Sequence, residues 1–429
     1  MLEEMTNDDA QYALELVDKI CKEVGPGLPG SPQERERAAI LKQELESHLG
    51  AGAVEVEEFT FAPAAFLRSS PLVALFTLLA CLLNLLAGRA TGASAWATCI
   101  AALVLSLVSP LLFLFEFFLC RELTDPLFRK AQSVNVIGAL RRPGARSVKR
   151  LLIVSGHHDS AAEDTWLRLL KYGFFFLSAT WGIGLVTLVA ASAIQLAGLI
   201  LGSAGLVRLG TLGWPLLAYP MAPAILFALF KTRGWKNGGV VPGAADNLSA
   251  CAVAVALCRF LVKNPSNIPD DTEIRFISFG SEEAGCRGSR RYVARHLDDL
   301  MRLDTRQLNL ETIAHPEIII LSSETNGTVR VSAEIVGSAV AAAQRAGIPH
   351  KVRPATIGVG NDAGPFSKAG LRATTLVGFT PRQQVAFYHQ QWDTPAVLTL
   401  EPLLNALKLT LEWIRAGGEQ TRPSEEKSR

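Results

Sequence analysis

Four long apolar stretches interrupt a chain whose remaining sequence is polar. They occupy roughly residues 72–88, 95–119, 173–201 and 211–230. Each is close to the ~20 residues that an α-helix needs to cross a lipid bilayer. Hydrophobic residues make up 49% of the chain and charged residues only 19%, which agrees with a chain that lies partly in lipid. The stretches therefore predict two transmembrane helical hairpins, with buried core helices as the alternative.

Positive charges flank these stretches unequally. The hairpin tips carry only Arg89 and Arg208. The other side carries a larger set of basic residues: Arg68, Arg121, Arg129, Lys130, Arg168, Lys171, Lys231, Arg233 and Lys236. By the positive-inside rule, we expect a multi-pass membrane protein whose polar domain is cytoplasmic. Both hairpins return to their starting side, so the interrupted domain can still close into one fold.

Composition excludes some functions and leaves others open. The chain has 42 basic and 40 acidic residues, so its charge gives no case for nucleic-acid binding. Its seven cysteines form no CxxC pair, which agrees with a reducing compartment. The polar N-terminus, MLEEMTNDDAQ, shows no cleavable signal peptide. Oligomeric state cannot be read from the sequence.

Outside the apolar stretches, the sequence is typical of an α/β domain. Residues 8–49 predict helix, loop and helix, with Ser31 as the N-cap of the second helix and Pro32 in its first turn. The runs at 151–154 and 274–279 are of buried-strand type. Further helices are predicted at Ser249–Leu261, Val331–Ala346 and Leu400–Ala416.

Five short motifs carry residue types that bind divalent metal ions. They are Gly156-His157-His158-Asp159-Ser160, Gly243-Ala244-Ala245-Asp246-Asn247, Ser281-Glu282-Glu283-Ala284-Gly285, Asn309-Leu310-Glu311-Thr312 and Tyr388-His389-Gln390-Gln391-Trp392-Asp393. Imidazoles and carboxylates are ligands that Zn²⁺ accepts well. A pair of such ions needs a bridging carboxylate, terminal ligands and a base for the activated water. The motifs together predict a two-metal hydrolase.

A His-His-Asp sequence follows the apolar run at 151–154. We assign His157 as a metal ligand and Asp159 as the carboxylate that orients it, because side chains project at the carboxyl end of such a strand. His158 is an alternative ligand. A purely structural pair of histidines is the simpler interpretation of this motif taken alone.

Two acidic motifs flank the predicted helix Ser249–Leu261. Asp246 precedes the helix and could bridge two cations, although Asp-Asn at such a position is usually a cap. Glu282 and Glu283 follow the apolar run at 274–279, and adjacent carboxylates there can point in different directions. We assign Glu283 as a metal ligand and Glu282 as the general base. A solvated acidic pair is the alternative.

The assignment of the last two candidate ligands, Glu311 and His389, depends on the presence of the other motifs. Glu311, taken alone, is typical of a surface residue. His389 lies four positions before Asp393, and a lone histidine is more often structural than metal-bound. We assign both as ligands because they complete the ordered set. Asp393 is expected to orient His389 or to cap the next helix.

Taken together, the motifs resemble family M28 of the zinc peptidases, which includes the co-catalytic zinc aminopeptidases. The matching residues are His157-His158-Asp159-Ser160, Ala245-Asp246-Asn247-Leu248-Ser249, Glu282-Glu283-Ala284-Gly285, Asn361-Asp362-Ala363-Gly364-Pro365-Phe366, Tyr388-His389 and an opening segment, Gly30-Ser31-Pro32-Gln33-Glu34. The resemblance covers about residues 25–60 and 148–415. It implies an α/β fold with a mixed, mostly parallel sheet flanked by helices and interrupted by the hairpins.

The resemblance also implies two zinc ions per chain. It places Asp246 between them, His157 and Glu311 on one ion, and Glu283 and His389 on the other. It further implies a cis peptide bond after Asp246. The aminopeptidases usually carry Asp where this chain has Glu311.

The activity implied by the resemblance is hydrolysis of N-terminal peptide bonds in a peptide substrate by a membrane-anchored aminopeptidase. A zinc-dependent glutaminyl cyclase with one zinc, or an inactive membrane scaffold, is the alternative. The predicted order is peptidase-domain segments at 1–66, 121–171 and 232–416, transmembrane hairpins at 67–120 and 172–231, and a disordered tail at 417–429.

Overall fold

An eight-stranded, mixed and mostly parallel β-sheet organises the polar part of the chain, as predicted. The computed structural model describes residues 3–67, 69–145, 147–218, 239–356, 358 and 360–419. The strands are β1 (Val54–Phe61), β2 (Ala131–Arg141), β3 (Arg150–His157), β4 (Thr272–Phe279), β5 (Asp304–Glu311), β6 (Ile318–Leu321), β7 (Ser323–Glu324), β8 (Val329–Arg330), β9 (His350–Arg353) and β10 (Arg372–Val377). The large sheet has the order β1-β2-β4-β3-β5-β10-β6-β9, and β7 pairs with β8.

The centre of the sheet is parallel and its flanks are mixed. Strand β3 pairs in parallel with β4 and β5, and β5 pairs in parallel with β10. The pairs β1–β2, β2–β4 and β10–β6 are antiparallel, whereas β6–β9 is parallel. Because β4, β3 and β5 run in one direction, their carboxyl ends lie at the same edge of the sheet.

Helices precede, follow and connect these strands. They are α1 (Asn7–Glu23), α2 (Pro32–Leu49), α3 (Pro63–Leu67), α4 (Ser69–Ala87), α5 (Gly92–Phe113), α6 (Thr165–Leu170), α7 (Gly173–Ile200), α8 (Ala204–Ala218), α9 (Ser249–Lys263), α10 (Arg287–Arg302), α11 (Ala333–Arg345), α12 (Ala363–Lys368), α13 (Pro381–Ala386) and α14 (Leu400–Arg415). The predicted N-terminal helix pair is confirmed, since Ser31 Oγ accepts a hydrogen bond from the Glu34 N–H at 3.1 Å. The predicted helices over 331–346 and 400–416 correspond to α11 and α14.

Helix α9 is a core helix, as predicted. By length and composition, Ala244–Lys263 is apolar enough to cross a membrane, with a mean hydropathy of 1.6, but 89% of that window is buried in the fold. Its residues pack with those of β3, β4 and β5 in one large apolar core. This packing positions the start of α9 beside the carboxyl edge of the sheet.

The described residues fall into two units that alternate along the chain. The first unit consists of the described residues within Met1–Pro63, Arg129–Glu163 and Gly238–Arg429. The second consists of the described residues within Ala64–Phe128 and Asp164–Asn237. The first unit contains the sheet. The end of the predicted disordered tail, from residue 420, lies outside the described residues.

The second unit contains long apolar helices at three of the four predicted spans. Ser69–Ala87, Gly92–Phe118 and Gly173–Ile200 have mean hydropathies of 2.1, 2.4 and 2.1 and are long enough to cross a membrane. The fourth predicted span, 211–230, lies outside the described residues from 219 onward. Helix α8 begins at Ala204, so the connection predicted over 202–208 is shorter than expected. Ser203 Oγ accepts a hydrogen bond from the Leu206 N–H at 3.4 Å, which supports that earlier helix start.

Buried polar side chains join the two predicted hairpins within this unit. Gln195 Nε2 donates to Thr211 Oγ1 at 2.7 Å and to the carbonyl of Asn84 at 2.8 Å. Asn84 Nδ2 donates in turn to Gln195 Oε1 at 3.2 Å. Such bonds, together with small residues, are what hold helices together where water is absent. The described helices of the two hairpins therefore form one helical assembly.

Candidate metal centre

Three ligand-bearing segments meet at the carboxyl edge of the parallel strands. His157 is the last residue of β3 and Glu311 the last of β5, while Glu282 and Glu283 lie just beyond the end of β4. Adjacent parallel strands place the residues at their ends side by side, which is where open α/β sheets bind ligands. Asp246 reaches the same edge from the turn before α9.

Two groups of potential ligands share the carboxylate of Asp246. Its Oδ1 lies 3.3 Å from His157 Nε2, which lies 3.8 Å from Glu311 Oε1. Its Oδ2 lies 3.1 Å from His389 Nε2, which lies 3.2 Å from Glu283 Oε1. One carboxylate thus presents one oxygen to each group, as a bridging ligand would.

The geometry of these atoms fits zinc. Asp246 Oδ2, Glu283 Oε1 and His389 Nε2 are buried and have no hydrogen-bond partner among the described residues, although they lie close to one another. Buried polar atoms are normally hydrogen-bonded or bound to a metal. Tetrahedral zinc with bonds of about 2.0–2.2 Å separates neighbouring ligand atoms by roughly 3.3–3.5 Å. The separations found here are close to that value.

The cluster is acidic around its two imidazoles. Burial acts to lower the pKa of His157, but hydrogen bonds with Asp159, Asp246 and Glu311 outweigh it and raise that pKa well above its ordinary value. The pKa of His389 is raised in the same way, against burial, chiefly by Glu283 and Asp246. This concentration of negative charge is complementary to divalent cations.

The predicted base lies beside the cluster without belonging to either shared group. Glu282 Oε2 is 3.7 Å from His157 Nε2, and its Oε1 accepts a hydrogen bond from Cys286 Sγ at 3.3 Å. Burial raises the pKa of Glu282 well above its ordinary value. One oxygen therefore faces the ligands while the thiol holds the other.

Asp159 connects its own motif to the Glu282–Glu283 motif. Its Oδ1 accepts from the backbone N–H of Glu282 and its Oδ2 from that of Glu283, both at 3.0 Å. Its Oδ1 also lies 3.4 Å from His157 Nδ1. Burial would raise the pKa of Asp159, but hydrogen bonding to His157 outweighs it and lowers the pKa. The side chain that was expected to orient His157 therefore also fixes the Glu282–Glu283 turn.

Asn247 orients Glu311. Its Nδ2 donates to Glu311 Oε2 at 3.2 Å and its Oδ1 accepts from the Thr312 N–H at 3.0 Å. These bonds leave Glu311 Oε1 facing His157. The peptide bond between Asp246 and Asn247 is cis, as the resemblance implied.

Comparison with known proteins agrees with this geometry. Residues 230–414 match the family model described as Peptidase family M28. That part of the chain is similar to an M28 peptidase domain. Aminopeptidase YwaD of Bacillus subtilis is 28% identical over 180 residues, which is 42% of this chain and 38% of that relative. The match thus spans less than half of the relative's length.

Solved structures share the fold of this chain. BSAP, a zinc aminopeptidase from Bacillus subtilis, superposes with a TM-score of 0.53 at 14% identity, over 96% of each chain. Glutaminyl cyclase from Fimbriiglobus ruber superposes with a TM-score of 0.54 at 14% identity, over 97% of each chain. At such identities the likeness concerns the fold alone.

The structure distinguishes between the two adjacent histidines, His157 and His158. His158 points away from the ligand cluster, and its Nδ1 lies 2.8 Å from Ser278 Oγ. Among the described residues, the potential metal-binding groups include His157 and leave His158 out. The alternative that His158 is the ligand has no geometric support.

Asp393 has a role that the sequence did not indicate. Its Oδ1 accepts from the Ala245 N–H at 2.7 Å and its Oδ2 from the Asp246 N–H at 3.1 Å. It was expected to orient His389 or to cap a helix, but these bonds go to the turn that carries Asp246. The ring of Tyr388, rather than Asp393, packs on His389, with the ring centroids 4.0 Å apart and the planes 14° from parallel.

Asp362, in another of the motifs that resemble the family, also lies near the site. It accepts a hydrogen bond from Ser289 Oγ at 2.5 Å and is fully buried. Burial raises its pKa to about 7. No described group of potential metal ligands includes it.

Proposed function

We propose that this protein is a membrane-anchored aminopeptidase that uses two zinc ions. The single observation that carries the proposal is the position of Asp246 between two groups of ligands, with one oxygen 3.3 Å from His157 and the other 3.1 Å from His389. A carboxylate shared by two groups of ligands is what a two-metal site requires. The choice of N-terminal residues as substrate is supported by the 28% identical aminopeptidase.

The ligand assignment follows the two groups. His157, Asp246 and Glu311 hold one zinc, and Asp246, Glu283 and His389 hold the other. When bound, a zinc pair polarises a carbonyl and acidifies a water molecule. The remaining chemistry falls to the protein's own side chains.

Glu282 acts as the general base and then as the general acid. Its carboxylate accepts a proton from the attacking water, so that the water oxygen forms a bond to the scissile carbonyl carbon. It then gives that proton to the leaving nitrogen as the C–N bond breaks, which releases a neutral amine.

Membrane anchoring and a cytoplasmic catalytic domain belong to the proposal. The apolar helices α4, α5 and α7 support anchoring, and the excess of basic residues on the side of the polar domain supports the orientation. We expect a cysteine introduced at Ala204, at the start of α8, to react with a membrane-impermeant maleimide in intact cells. A cysteine at Glu36 should react only after the cells are permeabilised. The reverse pattern would overturn the orientation, and the wild-type chain reports the background of native thiols.

The decisive experiment combines zinc content with hydrolysis of aminoacyl anilides by the full chain in detergent. It compares the wild type with Glu282→Gln and with Glu36→Gln, which alters an exposed glutamate of α2. We expect about two zincs per chain in all three. Cleavage should fall by roughly 10²–10⁴-fold in Glu282→Gln alone.

Other outcomes would identify another function. About one zinc per chain, with cyclisation of an N-terminal glutamine, would indicate a glutaminyl cyclase. Absence of bound zinc under conditions where the chain is folded would leave a membrane scaffold.

A further inference from the structure

The N-terminal end of α2 contacts the loops on which the proposed ligands lie. Helix α2 comes before the first hairpin in the sequence, more than 100 residues from the nearest proposed ligand. Two of its buried side chains, Glu34 and Arg37, are both fully excluded from solvent. Neither lies in the ligand cluster, and the proposed chemistry uses neither.

Arg37 donates hydrogen bonds to the backbone of two segments that carry proposed ligands, one with His157 and the other with Asp246. Its Nη1 donates to the carbonyl of His158 at 3.1 Å, within the segment that carries His157. Its Nη2 donates to the carbonyl of Pro242 at 2.6 Å, in the turn that leads to Asp246. Its Nε also donates to the carbonyl of Gly25 at 2.8 Å. A single guanidinium thus joins two ligand-bearing loops and the start of the domain.

Glu34 binds the loop that carries the base. Its Oε1 accepts hydrogen bonds from Ser281 Oγ at 2.7 Å and from Ser133 Oγ at 2.9 Å, and its Oε2 accepts from the Gly30 N–H at 2.6 Å. Ser281 immediately precedes Glu282, and its backbone φ is 56°. The carboxylate of Glu34 therefore binds the loop that carries Glu282 (residues 280–286, the base loop), at the residue directly before Glu282.

Glycines allow the backbone to approach these two side chains closely. A Cβ placed on Gly27 would lie 2.8 Å from Arg37 Cδ, and one on Gly280 would lie 3.2 Å from Glu34 Oε1. Gly243, in the turn before Asp246, has a φ of 68°, and a Cβ there would lie 2.6 Å from Ser160 Cβ. The close contacts of the backbone at Gly27, Gly243 and Gly280 limit how far the ligand-bearing loops can move.

We propose that Glu34 and Arg37 are positioning residues that set the zinc affinity of the site by fixing three ligand-bearing loops at once. The inference rests on the proposed zinc site and adds to it residues that bind no metal. Groups that orient metal ligands typically contribute 10–100-fold to metal affinity or activity. A contact to the loop backbone acts by the same means as a contact to the ligand itself, since both fix where the ligand atom lies.

The first test compares Arg37→Lys with Arg306→Lys. Lysine keeps the charge, but its single ammonium cannot span the carbonyls of His158, Pro242 and Gly25. Arg306 is a matched control because it is also buried and donates to a backbone carbonyl, that of Gly418, at 2.6 Å. It lies near the start of β5, at the end of that strand opposite to Glu311.

The second test compares Ser281→Ala with Ser133→Ala. Both hydroxyls are buried and donate to the same oxygen of Glu34, but only Ser281 belongs to the base loop. Each variant removes one oxygen atom, so both should fold. This pair keeps the proposal testable if Arg37→Lys does not fold.

The readout is zinc retained by the full chain in detergent against graded chelator, together with melting temperature, kcat and KM. We expect Arg37→Lys and Ser281→Ala to lose zinc at a free-zinc concentration 10–100-fold higher than the wild type does. Their kcat should fall more than their KM rises, even in excess zinc. Arg306→Lys and Ser133→Ala should lower the melting temperature yet hold zinc as the wild type does.

Equal zinc retention within both pairs would overturn the inference. That result differs from failure of the proposed function, in which the wild-type chain itself binds no zinc. A loss of zinc that only follows the loss of melting temperature, in controls and test variants alike, would also overturn it.

Discussion

The carboxylate of Asp393 holds the backbone of Asp246 in place, with Oδ2 accepting the Asp246 N–H at 3.1 Å. Its other oxygen accepts the N–H of the preceding residue, Ala245, at 2.7 Å. Asp246 in turn faces both imidazoles of the site. A residue that touches no proposed metal thereby fixes the ligand that the two metals would share.

Replacement of Asp393 by asparagine should weaken zinc binding. The amide keeps the shape of the side chain but turns one acceptor into an N–H₂ donor, which then faces a backbone N–H. A loss of about 10–100-fold in zinc affinity is expected. Chelator titration of the purified chain measures it, with Asp270→Asn as the control, because Asp270 is exposed and paired with Arg142. Unchanged zinc retention in Asp393→Asn would contradict the assigned role.

Replacement of Glu311 by glutamine should separate the two zinc sites. Glu311 belongs only to the group with His157, so the group formed by Asp246, Glu283 and His389 stays intact. We expect zinc content to fall from about two ions per chain to about one, with the fold preserved. Elemental analysis after gel filtration gives the ratio. A ratio that stays at two would show that Glu311 is not a ligand.

The thiol of Cys286 should affect catalysis through Glu282. Its Sγ donates to Glu282 Oε1 at 3.3 Å, while Oε2 faces His157. Cys286→Ser keeps a donor at this position and should keep kcat near that of the wild type. Cys286→Ala removes the donor and leaves the carboxylate free to rotate, so kcat should fall by a few-fold to roughly tenfold, since a typical hydrogen bond contributes about 1 kcal/mol. Zinc content should not change in either variant, and equal kcat values for Ser and Ala would contradict this role.

The order of motifs was enough to find the proposed ligands, because most of them lie where an element begins or ends. Strand and helix patterns placed His157 after a strand and Asp246 before a helix. Glu311 was assigned only because it completes the ordered set, and the structure shows that it ends β5, the parallel neighbour of β3. Hydropathy alone would have suggested a membrane span at α9, because the mean hydropathy of its segment, 1.6, is not far below the 2.1 of α4.

The residues that hold the loops could not be predicted in the same way. Glu34 was interpreted as part of a helix start and of the opening segment that resembles the family, with no contact predicted for it, yet its carboxylate meets Ser281, 247 residues away in the sequence. Arg37 meets Pro242 across 205 residues and Asp393 meets Ala245 across 148. Such contacts are set by packing of distant segments, for which neither periodicity nor capping chemistry gives a signal.

The pH dependence of stability should change when Glu324 is replaced. Glu324 is fully buried, and burial raises its pKa to about 7 from an ordinary value of 4.5. Between those values the folded chain keeps a proton that the unfolded chain has lost. Stability from this group is therefore complete below about pH 4.5 and is lost as pH rises through about 7. The shift corresponds to about 3 kcal/mol.

Glu324→Gln should remove the pH-dependent contribution of Glu324 to stability, so the variant gains stability relative to the wild type as pH rises from about 4.5 to 7. Chemical unfolding of the zinc-free chain at several pH values measures the difference, in which all other titrating groups cancel. Glu317→Gln is a control of opposite sign, because the hydrogen bond from Lys351 lowers the pKa of the partly exposed Glu317, and its contribution is lost as pH falls. A constant difference between Glu324→Gln and the wild type across this range would show that Glu324 is already ionised in the folded chain.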